Sequence, residues 1–314
     1  MDLGLRERAI VVTGASSGIG LACAEALAAE GCRLVLQGRT GTDRLEAWVA
    51  GRGLADRALV AGADVRDAAQ VEALFAAGAE RFGALHGCVA SAGIWPAEPR
   101  PLRDEDPGRI AEVLEVDLHG CVWTARAFQR QAAARGVHGT SLVLVGSTAG
   151  RFGEADHAAY AVAKAGLRGL MLSYKNEIAR VDPDGRVNLV EPGWTLTPMT
   201  EEALEDDAQV AHVARTMALR RIASAWDVAA ACLFFLSPSA AAHLSGQTLT
   251  VAGGMEGRLL WEREEIDPAA IRRRLREEGP RPAPPVARPA PGEPGRSGQP
   301  GRPGSSPARG KGRT

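Results

Sequence analysis

The chain has 314 residues, 45% of them hydrophobic, with 37 Lys and Arg against 38 Asp and Glu. That length holds one medium α/β domain with an appendage, and the near-neutral balance excludes a globally basic nucleic-acid binder or an electrostatic membrane binder. The five cysteines (Cys23, Cys32, Cys88, Cys121 and Cys232) are scattered without ligand spacing, so they read as buried free thiols in a reducing cytoplasm; no metal site, signal peptide or transmembrane span is expected.

Residues 9–12 (AIVV) form the kind of apolar, β-branched run that makes a buried parallel strand. The turn TGASSGIG at 13–20 follows, and then an alanine-rich helical stretch over 21–29. Gly14, Gly18 and Gly20 allow a tight turn, close approach of backbone N–H groups to phosphate, and close helix-on-strand packing. With Ser16, Ser17 and Ile19 they make a cradle in which the positive end of the helix faces a pyrophosphate. Further strands are predicted at 34–37, 58–61, 87–90, 141–146, 186–191 and 248–251, and helices at 68–82, 117–134, 158–180 and 226–236. This alternation predicts an α/β fold, a Rossmann-type doubly wound parallel sheet of about seven strands flanked by helices in a single domain. Ligands then bind beyond the carboxyl ends of the strands, where the glycine turn and the fourth and fifth strands end.

After the second strand the chain reads Gln37-Gly38-Arg39-Thr40. No acid stands there to bond a ribose 2′-hydroxyl, whereas the planar fork of Arg39 suits a 2′-phosphate, with Thr40 and Thr42 as added hydroxyl donors. NADP(H) is therefore expected in preference to NAD(H). Farther along, Tyr160 and Lys164 are four residues apart and share one helix face. A phenol of pKa about 10 stays protonated near neutrality and cannot then act as a base, and a lysine one turn away favours its phenolate. Ser147, at the end of the fifth strand, is placed to hydrogen-bond a substrate oxygen and hold it against the Tyr160 hydroxyl. A dinucleotide cradle together with this dyad predicts an oxidoreductase that exchanges hydride with a nicotinamide cofactor, Tyr160 protonating the developing alkoxide in the reducing direction.

The motifs TGASSGIG at 13–20, Asp64-Val65, Ser91-Ala92-Gly93, Ser147, Tyr160-Ala-Val-Ala-Lys164 and Pro192-Gly193 come in an order that resembles the short-chain dehydrogenase/reductase family over nearly all of residues 1–254, and in particular its 3-oxoacyl-acyl-carrier-protein reductase-like members. SGQTLTVAGG at 245–254 is similar to that family's C-terminal strand signature. The resemblance implies that Asp64 contacts adenine and Thr197 contacts nicotinamide. It also implies cofactor-binding roles for Val65, Ser91, Ala92, Gly93, Pro192, Gly193 and Thr195. A mobile flap over 198–221 would govern specificity, the substrate would be a small carbonyl or alcohol compound, and the chain would form a homodimer or homotetramer. One departure is pointed: where the family has a catalytic asparagine at a helix start, this chain has Asp117. Its main-chain carbonyl would still hold a relay water, and its carboxylate would favour charged Lys164. The alternative is a catalytically impaired dinucleotide-binding homologue acting as a sensor or scaffold. Ala90-Ser91 and Ala252, two milder departures, read as structural.

Trp95, Phe152 and Trp194 point to an apolar or aromatic-tolerant pocket, and His157 reads as a solvated helix-start histidine. The acidic cluster at 201–207 disfavours an anionic carrier as substrate. The domain is drawn over 1–258 and an extension over 259–278, where Asp267 and Pro268 start a helix for 269–278 and Leu259, Leu260 and Trp261 are candidate anchors. From 279 to 314 Pro, Gly, Arg and Ser dominate, which predicts a basic disordered tail without a nucleic-acid partner.

Overall fold

The predicted strands at 9–12, 34–37, 87–90, 141–146 and 186–191 are buried along their length, as parallel strands covered on both faces are, while those at 58–61 and 248–251 are only partly buried. The structure, a computed structural model, describes residues 2–277; the tail expected over 279–314 lies outside them. In chain order the elements are β1 (Ala9–Thr13), α1 (Gly18–Ala29), β2 (Arg33–Gly38), α2 (Thr42–Gly51), β3 (Ala58–Gly62), α3 (Ala68–Phe82), β4 (Gly87–Ala90) and α4 (Pro107–Leu114). There follow a π turn (Glu115–His119), α5 (Gly120–Arg135), β5 (Ser141–Val145), α6 (Ala149–Phe152), α7 (Ala158–Ile178), β6 (Arg186–Pro192) and β7 (Thr195–Leu196). The last are α8 (Asp207–Ala214), β8 (Ala223–Ser224), α9 (Ala225–Leu236), β9 (Thr248–Val251) and α10 (Pro268–Glu277).

Seven strands form one sheet in the order β3-β2-β1-β4-β5-β6-β9, every pair parallel, and β7 and β8 form a separate two-stranded ribbon. Val12 sits level with Leu36 on β2 and Val89 on β4, so the chain reverses direction across the sheet beside β1. That is the switch point where a ligand crevice opens in a doubly wound fold. Helices α1 and α9 cover one face, packing Leu27 and Leu236 with Leu36 of β2, and α3, α5 and α7 cover the other with Phe75, Phe128 and Leu167. A third, smaller core joins α8 and α10 around Leu204, Val210, Met217, Ile266 and Ile271.

All seven predicted strands form, within a residue of their expected ends. The helix predicted at 117–134 differs: it begins ten residues earlier, at Pro107, where Asp106 accepts the Arg109 N–H at 3.0 Å. The π turn then interrupts it, so Asp117 lies inside a long helical segment rather than at a helix start. The helix predicted at 158–180 stops at Ile178. In the C-terminal extension Asp267 caps α10 as expected, its Oδ1 accepting the Ala270 N–H at 2.9 Å. All five cysteines are free and buried, and among the described residues no helix is long and apolar enough to cross a membrane.

Candidate active site

The glycine turn is enforced by contact. A Cβ on Gly20 would fall 2.2 Å from Gly14 O, and one on Gly14, whose φ is 65°, would fall 2.8 Å from the Ala92 backbone. Only glycine fits where β1, α1 and the end of β4 approach so closely. Ser17 caps α1 in extended conformation without spending its side chain on the helix N–H groups, and no acid sits in the first turn. The positive end of α1 therefore faces the crevice undimmed.

Two polar side chains brace this cradle from below. Gln37 is buried, its Oε1 accepting the Gly14 N–H at 2.9 Å while its Nε2 donates to Ala63 O at 2.5 Å. Thr13 Oγ1 accepts the N–H groups of Ser91 at 3.1 Å and Ala92 at 3.2 Å, which ties the end of β4 to β1. Gln37 is thus a support of the turn rather than a residue facing ribose. Neither contact is visible in sequence, because each joins residues far apart in the chain.

One cavity of about 330 Å³ runs along this edge, and every cofactor-binding or catalytic residue singled out from the sequence lines it. At one end lie Gly14, Ser16, Ser17, Gly18, Ile19, Gly20, Arg39, Thr40, Asp64 and Val65; in the middle Ser91, Ala92 and Gly93; at the other end Asp117, Ser147, Tyr160, Lys164, Pro192, Gly193, Thr195 and Thr197. Thr42 is the exception among the accessory residues: it opens α2 and is not on the cavity wall. Asp64 does not stand alone. Arg66 grips its carboxylate, Nη2 to Oδ2 at 2.6 Å, and this hydrogen bond is the main cause that holds the carboxyl below its ordinary value. Thr200, overlooked in the sequence, ties the loop after β7 together by donating to Thr195 O at 2.5 Å and meeting Thr197 Oγ1 at 3.2 Å.

The chemical end of the cavity is built around Lys164. Its Nζ lies 3.2 Å from Asp117 Oδ2, donates to Val145 O at 3.4 Å and sits 5.5 Å from the centre of the Tyr160 ring. The π turn widens the helix by a residue and directs Asp117 inward, where it is 0% exposed. Its Oδ1 accepts the Ile94 N–H at 2.7 Å, and Oδ2 meets Lys164 as an ion pair rather than an aligned hydrogen bond. Burial opposes the Lys164 charge, but Asp117 first and Tyr160 second hold its pKa above the ordinary lysine value. Burial likewise lifts the Asp117 carboxyl, against the pull of Lys164 and the Ile94 N–H.

The Tyr160 phenol departs from expectation. Lys164 and a hydrogen bond from Ser147 pull its pKa down, yet burial is the larger influence and Asp117 adds to it, so the phenol lies above its ordinary value. The expected net lowering fails because burial outweighs the lysine charge, which the Asp117 carboxylate also offsets in part. Ser147 Oγ accepts the Ala149 N–H at 3.1 Å, which directs its own proton toward Tyr160 and the cavity.

A second cavity of about 260 Å³ adjoins the first, and Ser147, Tyr160, Gly193, Met199 and Thr200 line both. Trp95, Phe152 and Trp194 form its walls, as the aromatic residues predicted. His157 is not solvated. It is 8% exposed, its ring stacked on Trp95 with centroids 4.9 Å apart, its Nε2 3.0 Å from Pro96 O and its Nδ1 3.2 Å from Ala155 O. It braces the wall from behind and is absent from both cavity linings. In the acidic cluster Asp206 caps α8 and Asp207 pairs with Arg272, so part of its charge is spent on structure.

Comparison with known proteins agrees with this architecture. The family model described as "Enoyl-(Acyl carrier protein) reductase" matches residues 14–256. Cis-4-hydroxycyclohexanecarboxylate dehydrogenase of Sinomonas cyclohexanicum is 36% identical over 249 residues, 79% of this chain and 96% of that protein. The 3-oxoacyl-[acyl-carrier-protein] reductase FabG of Vibrio cholerae is 32% identical, covering 81% of this chain and 99% of that one. Among solved structures, a short-chain dehydrogenase/reductase (glucose/ribitol dehydrogenase) from Brucella melitensis superposes with a TM-score of 0.75 at 29% identity, over 82% of this chain and 99% of that chain.

Proposed function

The chain belongs to the short-chain dehydrogenase/reductase family, whose members are oxidoreductases acting on CH–OH and C=O groups with NAD(P), and from that premise we propose that it interconverts a ketone or aldehyde and its alcohol using NADP(H). The observation that carries this reading is the junction of the two cavities: Ser147 and Tyr160 line both, so a substrate oxygen in the smaller cavity meets the proton donor at the wall of the larger.

The residues present fit the dinucleotide. Gly14, Gly18, Gly20 and the α1 N-terminus suit a pyrophosphate, Arg39 at the exposed rim suits a 2′-phosphate, and the cavity runs unbroken to Tyr160. Bound there, the nicotinamide supplies or accepts the hydride. Ser147 Oγ holds the substrate oxygen beside Tyr160 Oη. In reduction Tyr160 Oη gives its proton to the developing alkoxide; in oxidation it takes the proton back. Lys164, kept charged by Asp117, stabilises the phenolate between these steps. Convergence of Ser147, Tyr160 and Lys164 speaks against the sensor or scaffold reading.

The test pairs a titration with a variant. Nicotinamide fluorescence should show tighter binding of NADPH than of NADH. Tyr160→Phe should keep NADPH binding and lose turnover by at least about a hundredfold, the usual worth of a positioned acid–base group; undiminished turnover would refute the role of Tyr160.

A further inference from the structure

We propose that the segment over 255–277 is a specificity element of the substrate cavity: it clamps the flap at 198–221 and completes the inner wall, so that the site takes a compact, uncharged carbonyl or alcohol compound about one ring in size and refuses an extended thioester. This rests on the oxidoreductase reading and deepens it.

The clamp is made of contacts that only this segment supplies. The family match ends at residue 256, so the contacts that follow come from beyond the matched region. Leu260 N–H donates to Arg215 O at 2.7 Å, Arg215 Nε donates to Trp261 O at 2.9 Å, and Trp261 Nε1 donates to Met217 O at 2.8 Å. The Arg220 guanidinium lies 4.1 Å over the Trp261 ring and its Nη1 donates to Glu265 O at 3.3 Å. Farther on, Arg272 pairs with Asp207 at the start of α8, and Ile266 and Ile271 are buried against Leu204, Val210 and Met217. Flap and extension therefore share one core, separate from those that cover the sheet.

That core backs the substrate cavity. Met255 and Gly257 line it beside Phe152, and a Cβ on Gly257 would fall 3.1 Å from Phe152 Cδ1, so the segment lies close against the aromatic wall. From the flap come Met199, Thr200 and Thr216. About 150 Å³ is enough for a benzene ring, and at about 260 Å³ this cavity suits a single substituted ring. Among the described lining residues Glu154 is the sole charged side chain, and no cation stands ready for a carboxylate or phosphate. An anionic substrate group would be left unpaired there.

The test uses the full chain with NADPH, cyclohexanone as the compact probe and acetoacetyl-coenzyme A as the extended one, in the wild type, Trp261→Ala and Trp261→Phe. The wild type should reduce cyclohexanone and favour it over the thioester by at least tenfold in kcat/KM. Trp261→Ala should raise the cyclohexanone KM at least tenfold, with kcat within threefold, NADPH affinity within twofold, and faster hydrogen exchange in the amides of 198–221. Trp261→Phe keeps a ring under Arg220 and should recover part of the KM. A KM within twofold of wild type together with unchanged flap exchange overturns the clamp, and wild-type preference for acetoacetyl-coenzyme A overturns the substrate class. If the wild type binds NADPH but turns over neither probe, the oxidoreductase reading fails instead; flap exchange then decides the clamp, faster in Trp261→Ala upholding it and unchanged refuting it.

Discussion

Replacing Asp117 by Asn should move the pH dependence of alcohol oxidation downward by about one unit. The carboxylate lies 3.2 Å from Lys164 Nζ, which is itself 5.5 Å from the Tyr160 ring centre. The Asp117 charge therefore sits within about 9 Å of the phenol; at an effective dielectric of about 20 a unit charge at that range is worth about 2 kcal/mol, or somewhat over one pKa unit. The sign follows from the state that acts. In the proposed mechanism oxidation needs Tyr160 unprotonated, and both burial and Asp117 raise its pKa. Removing the negative charge lowers the phenol pKa, so phenolate appears at lower pH. Asn can still accept the Ile94 N–H through its own Oδ1. Lys164 then keeps only Val145 O, at 3.4 Å, and loss of the buried partner should cost about 3 kcal/mol of stability. The assay is kcat/KM for oxidation of one alcohol between pH 6 and 10, with thermal melts alongside to separate a shifted profile from unfolding. A rising limb that stays in place, or moves to higher pH, would refute the electrostatic account of this site.

Two other substitutions probe the cradle. Arg39→Asp at the exposed rim should weaken NADPH binding by roughly tenfold to a hundredfold, the worth of a charged hydrogen bond, while NADH binding holds or improves; equal loss of both cofactors would show that Arg39 does not read the 2′-phosphate. Gln37→Ala strands the Gly14 N–H and Ala63 O, both bonded to it in the native protein, and should lower stability by about 3 kcal/mol through unpaired buried groups; an unchanged melting temperature would mean the turn does not depend on this brace.

Most of the sheet was legible because its inner strands are buried and rich in apolar residues; β4 forms over the predicted residues, and so does the edge strand β9, although its residues alternate with Thr and are only partly buried. The candidate site was legible because the glycine turn and the Tyr160–Lys164 dyad are local patterns with one structural meaning each. What escaped notice has no such local signature. The N-cap of α2 is Gly41 in left-handed conformation, with no side-chain cap to announce the helix. The π turn reads as ordinary helix until Asp117 is seen paired with Lys164. Thr13, Gln37 and His157 look like solvent-facing polar residues in one dimension, but their partners lie 78, 26 and 61 residues away. The lowered phenol pKa expected for Tyr160 failed likewise: burial, which only the fold reveals, outweighs the lysine, and the Asp117 charge that adds to it is on a different element.

These long-range polar contacts divide the site into two parts with different freedom to change. Thr13, Gln37 and Asp117 each spend a side chain on backbone N–H groups at the carboxyl edge of the sheet, so the cradle and the surroundings of the proposed proton donor are held by buried bonds whose loss is destabilising. The substrate wall is held differently, by the third core of Leu204, Val210, Met217, Ile266 and Ile271, which shares no residue with the two cores that pack on the sheet. Volume changes there are absorbed by α8, α10 and the flap rather than by the strands. Substitutions in separate cores tend to add rather than couple. On the proposed reading, substrate preference should therefore change through Met217, Met255 or Trp261 while the Tyr160–Lys164 end keeps its geometry, whereas a change at Gln37 or Asp117 should disturb stability and chemistry together.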